Sequence, residues 1–261
     1  FITIVMYNFI IKIAKSNSIF FLLANFIAEK FLLTSGDHYN ALKLLKNNKP
    51  TIIDIGGSVG ESIKKFLSIK PHCYVISFEP ISVRYKIMKS RFYGVKNIKI
   101  LNFGIGRNGK TYIYTPEIFG YKFYSWSSLS KIKLLNILKK HCKNFYHKFK
   151  IIKKSVKIIE LDSLKIKPDL VKIDVEGEEL QVLKSSKKII KKYKPVILIE
   201  LNEDFKKILN FFRVNGYNFY VFKNNNFTRT SFPISKKTRN LATNIIAIHK
   251  SRKNIINLKN F

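Results

Sequence analysis

The chain has 261 residues, with 49 Lys+Arg against 16 Asp+Glu and a formal net charge of +33. That length suits one compact α/β domain with additions better than two full domains. Hydrophobic residues at 46% and aromatics at 14% are too abundant for a disordered polybasic chain, so collagen-like, disulfide-scaffold and wholly disordered readings are excluded. Cys73 and Cys142 lie far apart in sequence, which suits a reducing compartment and argues against a disulfide framework.

Of the 49 cationic residues 42 are Lys and 7 are Arg, and the chain is also rich in Ile, Asn, Phe and Tyr. These are residues of A/T-rich codons. A codon bias raises Lys everywhere without any selected partner, whereas nucleic-acid readers lean on Arg for bidentate contacts. A solvated Lys coat is therefore expected, nucleic acid is disfavoured as a partner, and attraction to anionic membranes would be a side effect.

In chain order, apolar stretches run from Phe1 to Ile11 and from Ile19 to Ala28, but Lys12, Lys15, Glu29 and Lys30 interrupt them. Neither uninterrupted piece reaches the roughly 18 to 20 residues needed to span a bilayer. Ala24 to Ala28 makes a poor signal-peptidase site. Residues 1–49 are expected to form an N-terminal helical extension packed on the domain, with a helix lying on a membrane surface as the second reading.

From residue 50 the punctuation is clear. Thr51 to Ile55 is a β-branched run that ends in Gly56-Gly57-Ser58-Val59-Gly60 and continues into Glu61 to Leu67, which reads as strand, glycine turn and helix. Cys73 to Phe78 is a second strand closed by Glu79-Pro80, followed by a helix over Val83–Phe92 and a third strand over Lys96–Phe103. The rhythm returns with strands at Asp169–Val175 and Pro195–Leu201, helices at Leu180–Ile190 and Phe205–Val214, and terminal strands at Tyr217–Phe222 and Asn244–Ile248 expected to close as an antiparallel pair. Strands alternating with helices predict βαβ crossovers and a parallel sheet. Between the halves, the basic segment 129–157 reads as an insertion or lid, or simply as a Lys-rich surface connection. Residues 50–250 form the domain and 251–261 a basic tail.

A strand ending in Asp54-Ile-Gly-Gly-Ser-Val-Gly60 lets a backbone approach a ligand closely and aims a helix N-terminus at it. Glu79 lies 19 residues beyond Gly60, where a carboxylate can accept both hydrogen bonds of a ribose diol. The glycine spacing departs from Gly-x-Gly-x-x-Gly, which disfavours a dinucleotide site, and there is no Gly-x-x-x-x-Gly-Lys-Ser/Thr phosphate loop.

Together with Phe78-Glu79-Pro80, Ser127-Ser128-Leu129, Glu160 to Leu164, Leu170 to Glu179 and Pro195 to Glu200, this set resembles the FkbM family of S-adenosylmethionine-dependent methyltransferases over about residues 50–249. The run from Lys172 to Glu179 is the most diagnostic part. Gly57-Ser58 stands where the family often has Ala-Asn. The resemblance implies a Rossmann-like α/β fold with a seven-stranded sheet of order 3-2-1-4-5-7-6, strand 7 antiparallel. It implies S-adenosylmethionine as cofactor, held by Asp54, Gly56, Gly57, Ser58 and Gly60 around its methionine and ribose parts. Glu79 would take the ribose hydroxyls, and Phe78 and Pro80 would shape the adenosine side. Asn102 stands near the adenine or is an ordinary turn residue.

Asp174, Glu176 and Glu200 end two central strands and are the candidate catalytic acids; the resemblance implies O-methylation of a sugar, glycan or natural-product acceptor, for which one of them would be the base that takes the hydroxyl proton. Glu178 and Glu179 are read instead as complements to the following helix dipole. No metal is expected, because the five histidines are scattered without ligand spacing. The expected location is cytoplasmic, with peripheral contact at the inner membrane surface open. A degenerate methyltransferase fold that binds anionic membrane or nucleic acid is the alternative from another class. Phe119, Tyr121, Phe123, Tyr124 and Trp126 either stack on a sugar or belong to a core.

Overall fold

A computed structural model describes residues 37–223, 226–230 and 244–252. Expectations for residues 1–36 and 253–261 lie outside the described residues. The first described element is a 3-10 helix, Asp37–Leu44. It is followed by β1 (Thr51–Ile55), α1 (Glu61–Ile69), β2 (Tyr74–Phe78), α2 (Ser82–Arg91), β3 (Ile98–Leu101) and β4 (Gly104–Ile105). Next come β5 (Gly109–Ile118), β6 (Tyr121–Lys122), α3 (Lys131–Cys142) and β7 (Lys150–Ile159). The chain continues with β8 (Leu170–Ile173), α4 (Glu179–Lys184), α5 (Lys187–Tyr193), β9 (Val196–Glu200) and α6 (Phe205–Val214). It closes with β10 (Tyr217–Lys223), β11 (Asn226–Thr230) and β12 (Asn244–His249). The described residues divide into two compact units, 37–110 with those from 157 onward, and 111–156.

The larger unit is built on an eight-stranded sheet of order β11-β10-β12-β9-β8-β1-β2-β3. β1, β2, β3, β8 and β9 pair in parallel, and β12 runs antiparallel to both β9 and β10. The sheet departs from the seven-stranded expectation by an added strand, β11, which pairs outside β10 at the edge, and a second sheet of order β4-β7-β5-β6 exists. The third strand is shorter than the sequence suggested, because the chain leaves the first sheet after Leu101 and Gly104–Ile105 pairs with Ile158–Ile159.

Both faces of the parallel strands are buried, as helices on each side require. Ile53, Ile55, Ile76, Phe78, Val171, Ile173, Ile197 and Ile199 face one core with Val182, Leu183, Ile189, Ile208 and Phe212 from α4, α5 and α6. Ile52, Val75, Leu170 and Leu198 face the other with Tyr39 and Leu42 of the 3-10 helix, Ile63 and Phe66 of α1 and Met88 of α2. Two residues along this second face, side chains keep the same direction. The next positions toward the carboxyl edge are Asp54, Ser77, Lys172 and Glu200, so the face turns from apolar to ionic within one repeat.

The expected helix over 180–190 is two helices. The hydroxyls of Ser185 and Ser186 both donate to the Val182 carbonyl, at 2.9 and 2.6 Å, and the chain kinks there. Asp162, from the Glu160–Leu164 motif, then accepts the amides of Lys188 and Ile189, both at 2.9 Å, and satisfies the open N-terminus of α5.

In the smaller unit the basic segment forms ordinary structure: α3 buries Leu134, Leu138 and Cys142, spaced four apart, against Ile118, Phe123 and Phe149. Ser130 caps α3 by accepting the Lys133 amide. Phe123 is core and stacks on Trp126, while Phe119 is exposed. Ser127 bonds the Thr115 hydroxyl at 2.8 Å, and Ser128 bridges to Tyr114. Cys73 and Cys142 are buried free thiols. Among the described residues no helix is long and apolar enough to cross a membrane.

Replacing Asp162 by Ala should cost about 1 kcal/mol of unfolding free energy in urea, the usual value of a lost helix cap; a change within experimental error would deny it that role.

Candidate functional site

The strand order reverses between β1 and β8: the chain moves outward through β2 and β3 on one side and through β8 and β9 on the other. In open α/β sheets the carboxyl edge at such a point is where ligands sit. The sequence-picked residues Asp54, Gly56, Ser58, Glu79, Asp174, Glu176 and Glu200 all belong to this edge of the larger unit.

The turn after β1 is fixed by backbone geometry. The amides of Gly56 and Gly57 both donate to the Phe78 carbonyl at 3.0 Å, locking the turn to the end of β2. Gly56 has φ +82°, and a Cβ there would stand 1.8 Å from the Asp174 carbonyl oxygen. At Gly57 a Cβ would stand 2.0 Å from the Ser77 hydroxyl. Gly56 therefore admits no other residue, whereas a side chain at Gly57 would require the Ser77 hydroxyl to move.

Glu79 is buried and bonded at both oxygens, accepting the Ser58 amide at 2.9 Å and the Ile81 amide at 2.8 Å. Burial pushes its carboxyl up to about 7, against the pull of those amides and of Arg84 and Lys172. Each oxygen keeps a second lone pair, so the carboxylate can both hold the turn and accept a hydroxyl. Asn102 donates to the carbonyls of Glu79 and Pro80 at 2.8 and 3.1 Å and accepts from Ser82. Its amide therefore pins the Glu79-Pro80 turn. Phe78 is fully buried in the core, while Pro80 is half-buried beside the turn.

Across β2, β1 and β8, register partners Ser77, Asp54 and Lys172 form one polar rung. Asp54 Oδ2 accepts the hydroxyls of Ser62 and Ser77, both at 2.7 Å. Lys172 Nζ donates to the Gly56 carbonyl at 2.9 Å and lies 3.2 Å from Asp174 Oδ2 and 3.5 Å from Asp54 Oδ1. Burial penalises this ammonium, yet Asp174 and Asp54 outweigh it and hold its pKa above the ordinary lysine value. Tyr39 shares the rung's field: burial first, then Asp54 and Asp174 against Lys172, push its phenol up to about 12. Lys172 had a signal in the sequence, a lone cation inside the buried run Leu170–Ile173. Tyr39 had none, because its approach depends on tertiary packing.

Beyond β8 the loop carries the acids. Glu176 sits at φ +53° and Gly177 at +100°. Glu179, read from sequence as a dipole complement, is buried and accepts the amides of Val175 and Gly177 at 3.2 Å, while Asn202 donates to its other oxygen. It closes the loop from inside. Glu176 is exposed on this loop. The surrounding protein, then Asp174, Glu200 and Glu179, push it up to about 8. Glu200 is raised to about 7 by burial and by Asp174 and Glu179, with Lys172 opposing. Asp174 is 40% exposed and has one oxygen on Lys172. Among the described residues no group of His, Cys, Asp and Glu has the geometry of a metal site. A neutral or cationic head beside the acids, with a hydroxylated ring at Glu79, is what this edge suits.

A family model described as the methyltransferase FkbM domain matches residues 54–219. Among solved structures, the chain is similar to a methyltransferase FkbM from Methylobacillus flagellatus KT, with TM-score 0.50 and 15% identity over 81% of this chain and 48% of that one. The chain thus spans about half the length of that structure. It is also similar to a precorrin-6y C5,15-methyltransferase from Geobacter metallireducens GS-15 (TM-score 0.40, 13% identity, 81% and 83% covered). A third similar structure is an SAM-dependent O-methyltransferase from Thermotoga maritima (TM-score 0.43, 11% identity, 85% and 69% covered). A comparison with curated protein sequences gives no match.

Because the folded state holds Glu200 protonated to about pH 7, its contribution to stability is full below the unfolded carboxyl value and fades as pH rises to about 7. The stability of the wild type relative to Glu200→Gln should therefore fall from about pH 4.3 to about 7 and level off above. A difference independent of pH by calorimetry would contradict the assignment.

Proposed function

This chain belongs to the FkbM methyltransferase family and takes S-adenosylmethionine as its cofactor; from that premise we propose that it methylates a hydroxyl oxygen on a sugar, glycan or natural-product acceptor. The observation that carries the acceptor reading is the convergence of Asp174, Glu176 and Glu200 at the carboxyl edge of β8 and β9, with the latter two titrating near neutrality.

S-adenosylmethionine supplies a methyl group on a positively charged sulfur. In this reading the chain does the positioning. The Gly56–Gly60 turn lets the backbone come close to the cofactor, Glu79 accepts its ribose hydroxyls, and the carboxylates favour its positive charge. Asp174 has one oxygen engaged by Lys172 and one available to accept the proton of the acceptor hydroxyl. As the acceptor oxygen took the methyl, the sulfur–methyl bond would break with its electron pair left on a neutral thioether, while the hydroxyl proton would move to Asp174 and Glu176 and Glu200 would pass it to solvent. Holding both partners in line accounts for most of the rate in such a displacement.

Mass spectrometry of glycan, lipid and polyketide extracts incubated with the protein and S-adenosylmethionine should find a product heavier by one methylene. With that acceptor, Asp174→Asn should lower kcat by about 10²- to 10⁴-fold, the range for a lost general base, with cofactor affinity nearly kept. Glu79→Ala should weaken S-adenosylmethionine binding at least about tenfold by calorimetry, the scale of one lost charge-assisted hydrogen bond. Unchanged affinity in that variant would remove Glu79 from the cofactor site. Binding to RNA or anionic vesicles at physiological salt with no methyl transfer would favour a binding module instead.

A further inference from the structure

Lys172 stands where its strand neighbours call for a hydrocarbon. Leu170 precedes it on the same face, Leu198 is its register partner on β9, and both belong to a buried core. A Met would extend that core, whereas a buried ammonium carries a desolvation cost of several kcal/mol. Packing against Leu170 and Leu198 gives no reason for the charge.

Three oxygens surround the ammonium: the Gly56 carbonyl, which accepts a hydrogen bond from it, and the ion-paired Asp174 Oδ2 and Asp54 Oδ1. These belong to three different parts of the site. The Gly56 carbonyl is in the turn after β1, Asp174 heads the acidic loop, and Asp54 anchors α1 and β2 through Ser62 and Ser77. Asp54 Oδ1 is buried and has no hydrogen bond of its own, so Lys172 is what compensates its charge. Tyr39 and Glu79 also lie within the field of the ammonium, as do Asp174 and Glu200 on the loop side.

Resting on the cofactor reading above, we propose that Lys172 is a positioning residue that ties the glycine turn holding S-adenosylmethionine to Asp174, so that cofactor binding and the placement of the proton acceptor are set by one cation. Without it the Gly56 carbonyl loses its anchor, Asp54 is left as an uncompensated buried charge, and Asp174 is free to rotate from the crevice.

Calorimetric titration with S-adenosylmethionine separates this from a merely structural role. Wild type must bind first; if it does not, the cofactor reading fails and not this inference alone. Lys172→Met, folded by circular dichroism, should bind at least about tenfold more weakly, the scale of losing a hydrogen bond to a charged group, and Lys172→Arg should recover part of that loss. Affinity within twofold of wild type in folded Lys172→Met would overturn the proposal. A measurement on the unmodified chain removes any dependence on the variant folding: the sheltered ¹⁵Nζ resonance of Lys172 should shift as S-adenosylmethionine saturates the protein. A resonance that stays in place while binding is confirmed by calorimetry would equally overturn it.

Discussion

At the end of β1 there is no room for a side chain. A Cβ on Gly56 would fall 1.8 Å from the carbonyl oxygen of Asp174, so the turn after the first strand and the loop after the fourth parallel-region strand in sequence pass each other backbone against backbone. The rest of the site follows from that contact. It brings the Gly56 carbonyl within reach of the Lys172 ammonium, puts Asp174 beside the turn, and frees the Gly57 and Ser58 amides to face β2. Glu79 then closes the other side by accepting from Ser58. A glycine at this point is a condition of the architecture, since φ +82° and the missing Cβ are both needed.

The charge distribution has two scales. Over the whole chain the cations dominate, at 49 against 16 acids, but Asp54, Glu79, Asp174, Glu176, Glu179 and Glu200 gather six of those 16 acids at one edge of the sheet. Lys172 offsets only part of that charge, and the surrounding protein first, then the neighbouring acids, raise Glu176 and Glu200 toward neutral pH. A cluster of acids at one sheet edge favours a cation there whatever the outer coat attracts.

Much of this was legible because its signals are local. The β-branched run Thr51–Ile55, the glycine turn, the acid after Phe78 and the helical spacing of Ile208, Leu209 and Phe212 each carry their own punctuation, and the structure puts elements there. The second sheet was not legible. β7, with its run of Lys at 150, 153, 154 and 157, reads as surface, and its partner Gly104–Ile105 is only two residues long and distant in sequence. The break between α4 and α5 hides in two serines that look harmless until both hydroxyls turn back onto Val182. Within the site, the acids could be picked out because carboxylates ending strands are unusual. The tasks of Asn102 and Glu179 depend on which amides and carbonyls the fold brings near them, and no spacing encodes that.

The most direct test of the account is a crystal structure of this chain with S-adenosylhomocysteine. The account predicts the ribose hydroxyls against Glu79, the ligand lying over the Gly56–Gly60 turn, and its sulfur directed toward Asp174. A ligand bound elsewhere, or a ribose held without Glu79, would contradict it.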